Sequence, residues 1–234
     1  MTHLDIQHRL RENADPAKAE HAQRFFKTGK GEYGEKDRFL GIRVPVLRRY
    51  VREFQHLALE ETAEILQSPY HEERLFALLL LVRKYQKGDR AQQEAVFRLY
   101  LKNLQQINNW DLVDSSAPSI VGAWLEERDK TLLYQLAESP NLWERRIAII
   151  STFHLIRNNK FDDALAIARL LIADRQDLIH KAVGWMLREI GKRNIAIEKA
   201  FLDRHALTMP RTMLRYAIER FEEDERKRYL ERKQ

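Results

Sequence analysis

The residues best suited to chemistry lie in one stretch, Asn108-Asn109-Trp110-Asp111-Leu112-Val113-Asp114-Ser115-Ser116-Ala117-Pro118. An Asn-Asn pair before Trp110 can cap a helix. From that start Trp110 and Asp114 are four residues apart, so they share one helical face. A fixed carboxylate can stabilise positive charge developing on a reactant and orient a water, and an electron-rich indole adds cation–π attraction. Packing alone gives no reason for the acid, because an ionised carboxylate buried without a partner is costly.

The elements that must hold this pair read almost entirely as helix. Residues 3 to 13 carry Leu4, Ile6 and Leu10 in an amphipathic pattern, and Asp15-Pro16 reads as an N-cap with proline in the first turn of a second helix. Residues 28 to 44 form a loop holding Gly29, Gly31, Gly34 and Gly41, whose backbone amides could cradle a phosphate although the Walker spacing is missing. Helices are expected at about 45–54, 59–67, 69–86, 89–103, 110–126, 129–138, 140–157, 161–173, 177–193, 195–206 and 210–220, before a charged tail over 221–234 that should cap the last repeat. Ser68-Pro69, Ser139-Pro140 and Met209-Pro210 place proline in the first turn of three of them. No period-two apolar alternation bounded by turns marks a strand.

The helices repeat. Ser68-Pro-Tyr-His-Glu-Glu-Arg-Leu-Phe-Ala overlays Ser139-Pro-Asn-Leu-Trp-Glu-Arg-Arg-Ile-Ala at an offset of 71 residues, and Ala77, Val113, Ala148, Gly184 and Ala217 recur every 33 to 36 residues. Two helices per unit at that period predict an all-α, right-handed α-solenoid of HEAT-like repeats with a concave basic face, a single domain over 1–234. On this register Trp110, Asp114, Arg146 and Trp185 fall within roughly 100° of arc, and Arg74, Arg145, Lys181, Arg188 and Lys192 share or border it.

Composition narrows the function. Lys+Arg of 41 against Asp+Glu of 35 gives a net charge of +6, which favours an anionic partner. The absence of Cys excludes thiolate nucleophiles, iron–sulfur clusters and cysteine zinc sites, and the eight His show no ligand spacing, so neither a metal nor a cofactor is expected. The first residues lack a signal-peptide core, and the longest apolar run, Leu75 to Val82, is too short to span a bilayer. A cytoplasmic monomer without membrane contact is the expectation. A basic stripe suits a polyanionic backbone, where Arg and Lys set affinity and register. Asp114 is discordant there, since an acid repels phosphate. Cleavage of a glycosidic bond gives it a use, because positive charge develops on the sugar.

At these residues the chain resembles the AlkD-like DNA alkylation repair glycosylases, built from HEAT-like repeats. The resemblance runs through Phe25-Phe26-Lys27, Phe39-Leu40-Gly41-Ile42, Asn109-Trp-Asp-Leu-Val-Asp114, Leu142-Trp-Glu-Arg-Arg-Ile-Ala148 and Lys181-Ala-Val-Gly-Trp-Met-Leu-Arg-Glu189. It implies a monofunctional glycosylase that excises N3- and N7-alkylated purines from double-stranded DNA without flipping the base. Trp110, Asp114 and Trp185 would form the catalytic cleft, Asp114 assisting cleavage and positioning water, and Arg146 would hold the backbone. Phe25 stands where well-known members carry Tyr, which removes a hydroxyl that could bond phosphate. The Gly-rich loop is also longer than in the best-known member.

Each residue also has a plainer use. Trp110 and Trp185 could be half-buried packing residues, Asp114 could pair with Arg146 or a neighbouring amide, and the basic stripe could be a solvated face. Trp124 and Trp143 are assigned to packing, and Asp111 to a different face, supporting a helix cap. A non-catalytic helical-repeat module binding DNA, RNA or a protein is the competing function.

Overall fold

The computed structural model describes residues 2–231, which gather into two compact units, one ending at Ile120 and the other beginning at Val121. In the first, α1 (His3–Arg11) opens with a capping box from Thr2 and Asp5, and α2 (Pro16–Phe25) is capped by the Asp15 carboxylate with Pro16 in its first turn. A long loop leads to α3 (Val44–Glu53), α4 (Leu59–Leu66), α5 (His71–Lys87), α6 (Arg90–Lys102), a 3₁₀ turn at Leu104–Gln106 and α7 (Trp110–Ala117). The α5 helix packs against α3, α4, α6 and α7, and Leu75, Phe76, Ala77, Leu78, Leu80 and Leu81 form its buried body.

The second unit holds α8 (Ala123–Leu125), α9 (Thr131–Ala137), α10 (Leu142–Arg157), α11 (Asp162–Leu170), α12 (Asp177–Gly191), α13 (Ile195–His205) and α14 (Arg211–Ala217), followed by a 3₁₀ turn at Ile218–Arg220 and α15 (Glu223–Glu231). Here α10 packs on α9, α11 and α12, and α12 on α13 and α14. Helices α12 and α14 approach so closely that a Cβ on Gly184 would lie 2.4 Å from the Met213 carbonyl oxygen. The fold is all-α: no strand occurs among the described residues beyond an isolated bridge between Arg38 and Tyr70, and none of their helices is long and apolar enough to cross a membrane.

Three local expectations change. The helix expected over 110–126 ends at Ala117, and Pro118–Gly122 forms a π-helical turn. Proline supplies no N–H for the intrahelical ladder at that point. Pro69, Pro140 and Pro210 precede their helices, which start at His71, Leu142 and Arg211. At the first two, serine makes its own turn, with Ser68 Oγ accepting from the Tyr70 N–H at 3.0 Å and Ser139 Oγ from the Asn141 N–H at 3.0 Å. The tail forms α15, pinned by Tyr229, which is buried against the Phe221 ring and donates to Asp203 at 3.0 Å. Residues 232–234 of the expected tail lie outside the described residues.

Candidate active site

The Asn109 side chain caps α7, its Oδ1 accepting from the Trp110 N–H at 2.8 Å. Leu112, Val113, Ser116 and Ala117 face the core, which leaves Trp110, Asp111, Asp114 and Ser115 on the half-buried stripe. The indole of Trp110 stacks on Phe26 with centroids 5.2 Å apart and planes 18° apart, and Phe25, 59% exposed, meets its edge at 6.0 Å. Behind Phe26 lie Phe39 at 4.9 Å and the His71 imidazole at 5.0 Å. This aromatic stack fixes the indole plane from inside the unit. Asp114 lies one turn on from Trp110, and its charge reaches buried Tyr100, whose hydroxyl is pushed up first by burial and then by Asp114.

A buried polar network anchors the stack. His71 Nδ1 bonds Asp37 at 2.9 Å and Nε2 bonds Asp111 at 2.8 Å. Burial pulls the imidazole down, but the charge and hydrogen bond of Asp111 and those of Asp37 outweigh it and raise His71 to about 9. For Asp37, burial pushes up, while the His71 hydrogen bond and the charges of His71 and Arg74 win and lower it to about 2. Asp37 also accepts from the Asn109 side chain at 2.8 Å and from Arg74 Nη2. Two carboxylates and two cations thus balance in charge around the N-cap of α7. The Glu72 carboxylate accepts from the N–H groups of Leu40, Gly41 and Ile42 at 2.9, 2.7 and 3.2 Å, which holds the segment carrying Phe39.

Arg74 does not offer its guanidinium to solvent. It is 4% exposed and bonds Asp37, the Ser68 carbonyl at 3.0 Å and Asn108 at 3.1 Å. Its repeat equivalent Arg145 bonds the Ser139 carbonyl at 2.9 Å and Asp174 at 2.6 Å. The Ser68 and Ser139 hydroxyls donate to Glu73 and Glu144 at 2.5 and 2.6 Å. The aligned Ser-Pro-x-x-x-Glu-Arg segments therefore build the same joint, in which Arg74 and Arg145 both hold the serine carbonyl. The Gly-rich loop is no phosphate cradle: its Gly29 and Gly31 amides donate to Glu32 and Glu35 of the same loop at 2.8 and 3.1 Å.

In the second unit Trp185 is half-buried on α12, near Phe153 at 5.6 Å, with its indole N–H donating to Glu189 at 3.2 Å. Burial pushes Glu189 up, but Lys192, Trp185 and Arg193 together hold it below the usual carboxylate range. Lys192 pairs with Glu189 at 2.5 Å, Lys181 with Asp177 at 2.7 Å and Arg188 with Glu219. Arg146, 5% exposed on α10, donates to the Leu178 carbonyl at 2.5 Å. Trp124 and Trp143 are buried.

Trp110 and Asp114 lie on the half-buried stripe of α7, but their support from Phe26, Phe39, Asp37, His71 and Glu72 is not evident from spacing, and Asp111, expected on another face, shares the half-buried stripe and bonds His71. A signal for two of them was available. Within the 71-residue overlay, His71 faces Leu142 and Glu72 faces Trp143, positions where polar groups replace apolar ones. Arg146, opposite Leu75, is the reverse departure.

Residues 6–221 match the family model described as "DNA alkylation repair enzyme". Among solved structures, the chain is similar to a predicted DNA alkylation repair enzyme from Enterococcus faecalis at 19% identity and TM-score 0.68, covering 90% of this chain and 98% of that one. It is also similar to AlkD2 from Streptococcus mutans at 15% identity and TM-score 0.55, covering 89% and 99%. At these identities the two likenesses concern the fold. No curated protein matches the sequence.

Proposed function

The chain belongs to the DNA alkylation repair enzyme family, and from that premise we propose that it is a monofunctional DNA glycosylase for cationic N3- and N7-alkylated purines in duplex DNA. The observation that carries this reading is the half-buried stripe of α7, where an indole locked by the Phe26 stack stands one turn from a carboxylate. In the proposed reaction the C1′–N bond breaks with its electron pair going to the alkylated base, which leaves neutral. The sugar becomes oxocarbenium-like, and the Asp114 carboxylate stabilises that charge while Trp110 offers its face. Water adds its oxygen to C1′ and releases a proton. A base that is already cationic leaves without acid assistance, so one carboxylate suffices and the base need not be flipped into a pocket.

Lys181, Arg188 and Lys192 are assigned to the DNA backbone and exposed Phe25 to the duplex surface beside Trp110, while Arg146, as buried as Arg74, acts by holding the Leu178 carbonyl. Arg74 and Arg145 act through the joints they hold. Release of 7-methylguanine and 3-methyladenine from duplex DNA, compared between the unmodified protein and Asp114→Asn at matched occupancy, tests the assignment. We expect the variant to stay folded and bind, with release falling at least about 100-fold, the scale of losing one preorganised electrostatic group. Binding of DNA by both proteins with no base release by either would replace this reading with the non-catalytic module.

A further inference from the structure

A second charged site lies in the first unit, away from the aromatic stack. Gln55 and His56 from the turn after α3, Arg83, Lys84 and Lys87 from the C-terminal end of α5, and Gln92 of α6 line a cavity of 310 Å³. Arg83 donates through Nε and Nη2 to Gln55 Oε1 at 3.1 and 2.6 Å, and Lys84 Nζ donates to the Gln55 carbonyl at 3.0 Å. No carboxylate lines the cavity, and among the described residues no ion pair reaches Arg83, Lys84 or Lys87. That sets these cations apart from Arg74, Arg145, Lys181, Arg188 and Lys192, each of which has an acidic partner. Lys84 is only 9% exposed, and burial holds its ammonium below the usual range. A charge removed from water is costly unless paired.

The end of α5 explains part of this arrangement. Cations in a last turn answer the helix macrodipole, but that pole amounts to about half a negative charge, against three formal positive charges here. His56 and Gln92 come from other elements and meet the same space. We propose that this cavity binds a phosphoryl group, held by the Arg83 guanidinium and the Lys84 and Lys87 ammoniums, with His56 and Gln92 at its rim. The planar guanidinium fork suits two phosphate oxygens, and the ammoniums serve as point charges.

Two sources present that group. Thirteen residues separate His71 from Lys84, so the cavity lies about 20 Å along α5 from the aromatic stack at about 1.5 Å per residue. That is roughly six base-pair steps at ~3.4 Å, within reach of a duplex lying on Trp110. A free phosphorylated small molecule carries the same chemistry. The duplex source rests on the proposed function, and the anion site itself does not.

The test uses the full chain and the double variant Arg83→Gln/Lys87→Gln, which leaves Lys84 and its hydrogen bond to Gln55 in place. Inorganic pyrophosphate is titrated while amide chemical shifts are followed at Gln55, Arg83 and Gln92, and duplex affinity is measured across salt concentrations. We expect pyrophosphate to shift those amides in the parent and not in the variant, and the salt slope of duplex binding to shrink by about 0.9, the value of one lost phosphate contact. Loss of the pyrophosphate response with an unchanged slope assigns the site to a free phosphorylated ligand. A reduced slope alone assigns it to the duplex. No pyrophosphate response together with an unchanged slope overturns the proposal. Base release at saturating protein should be equal in both chains. If the parent releases no base, the pyrophosphate titration still decides the cavity, so the two readings fail separately.

Discussion

At the scale of single residues, His71 shows how a titrating group can set the geometry of a site that it does not enter. Its ring is held between Asp37 and Asp111 and forms the inner face of the stack ending at Trp110. Because its folded value of about 9 lies above the usual 6.5, its contribution to stability is complete below about 6.5 and is lost as pH rises through 9, a loss on the order of 3 kcal/mol at one pH unit per 1.36 kcal/mol. Asp37 behaves oppositely: its lowered value of about 2 makes its contribution complete above about 3.8 and lost as pH falls through 2. His71→Gln should flatten the alkaline limb of stability measured by urea denaturation between pH 6.5 and 9. An unchanged limb in the variant would remove His71 as its source. Phe25 is exposed beside the half-buried Trp110. Phe25→Tyr adds one hydroxyl and should tighten duplex binding by about two- to tenfold, the worth of one hydrogen bond near 1 kcal/mol; equal or weaker affinity in a binding titration would place the ring off the DNA. Trp110 and Asp114 were legible in sequence because they are local neighbours on a helix. Asp37 and His71 were not, because 34 residues separate them and no local spacing encodes their contact.

Helix-level features were read from periodicity and punctuation, and they failed where a side chain rewrote the local hydrogen bonding. The π-helical turn at Pro118–Gly122 and the serine turns before α5 and α10 are both of this kind. The small position at Gly184 was visible as a register point, and its physical reason is the contact of α12 with α14. A Cβ there would lie 2.4 Å from Met213 O and 2.5 Å from Tyr216 Cβ, so Gly184→Ala must displace α14 backbone. We expect a loss of about 1–3 kcal/mol, the usual range for overpacking, seen as a lowered thermal midpoint. No change in midpoint would mean that α14 moves away freely.

Across the whole molecule the all-α class and the repeat were legible, because a period in the mid-thirties is a property of the entire chain and survives local misreadings. The net charge of +6 was equally plain, but it did not tell which cations are available. Several of the chosen Arg and Lys are tied to acids, whereas Arg83, Lys84 and Lys87, which the register ignored, are not. Charge is legible as a sum, and its availability depends on contacts that a sum conceals.

The joint built twice by serine, glutamate and arginine has a further consequence. Each copy satisfies the hydrogen bonds entering its long helix with residues from one seven-residue segment, at Ser68–Arg74 and again at Ser139–Arg145. Yet the residues between the shared positions differ, His71-Glu72 in one and Leu142-Trp143 in the other. One connector thus delivers two different loads, a buried polar pair in α5 that braces the Trp110 stack and an apolar pair in α10, so a repeat can acquire a site beneath its surface without changing how its helix is joined to the chain.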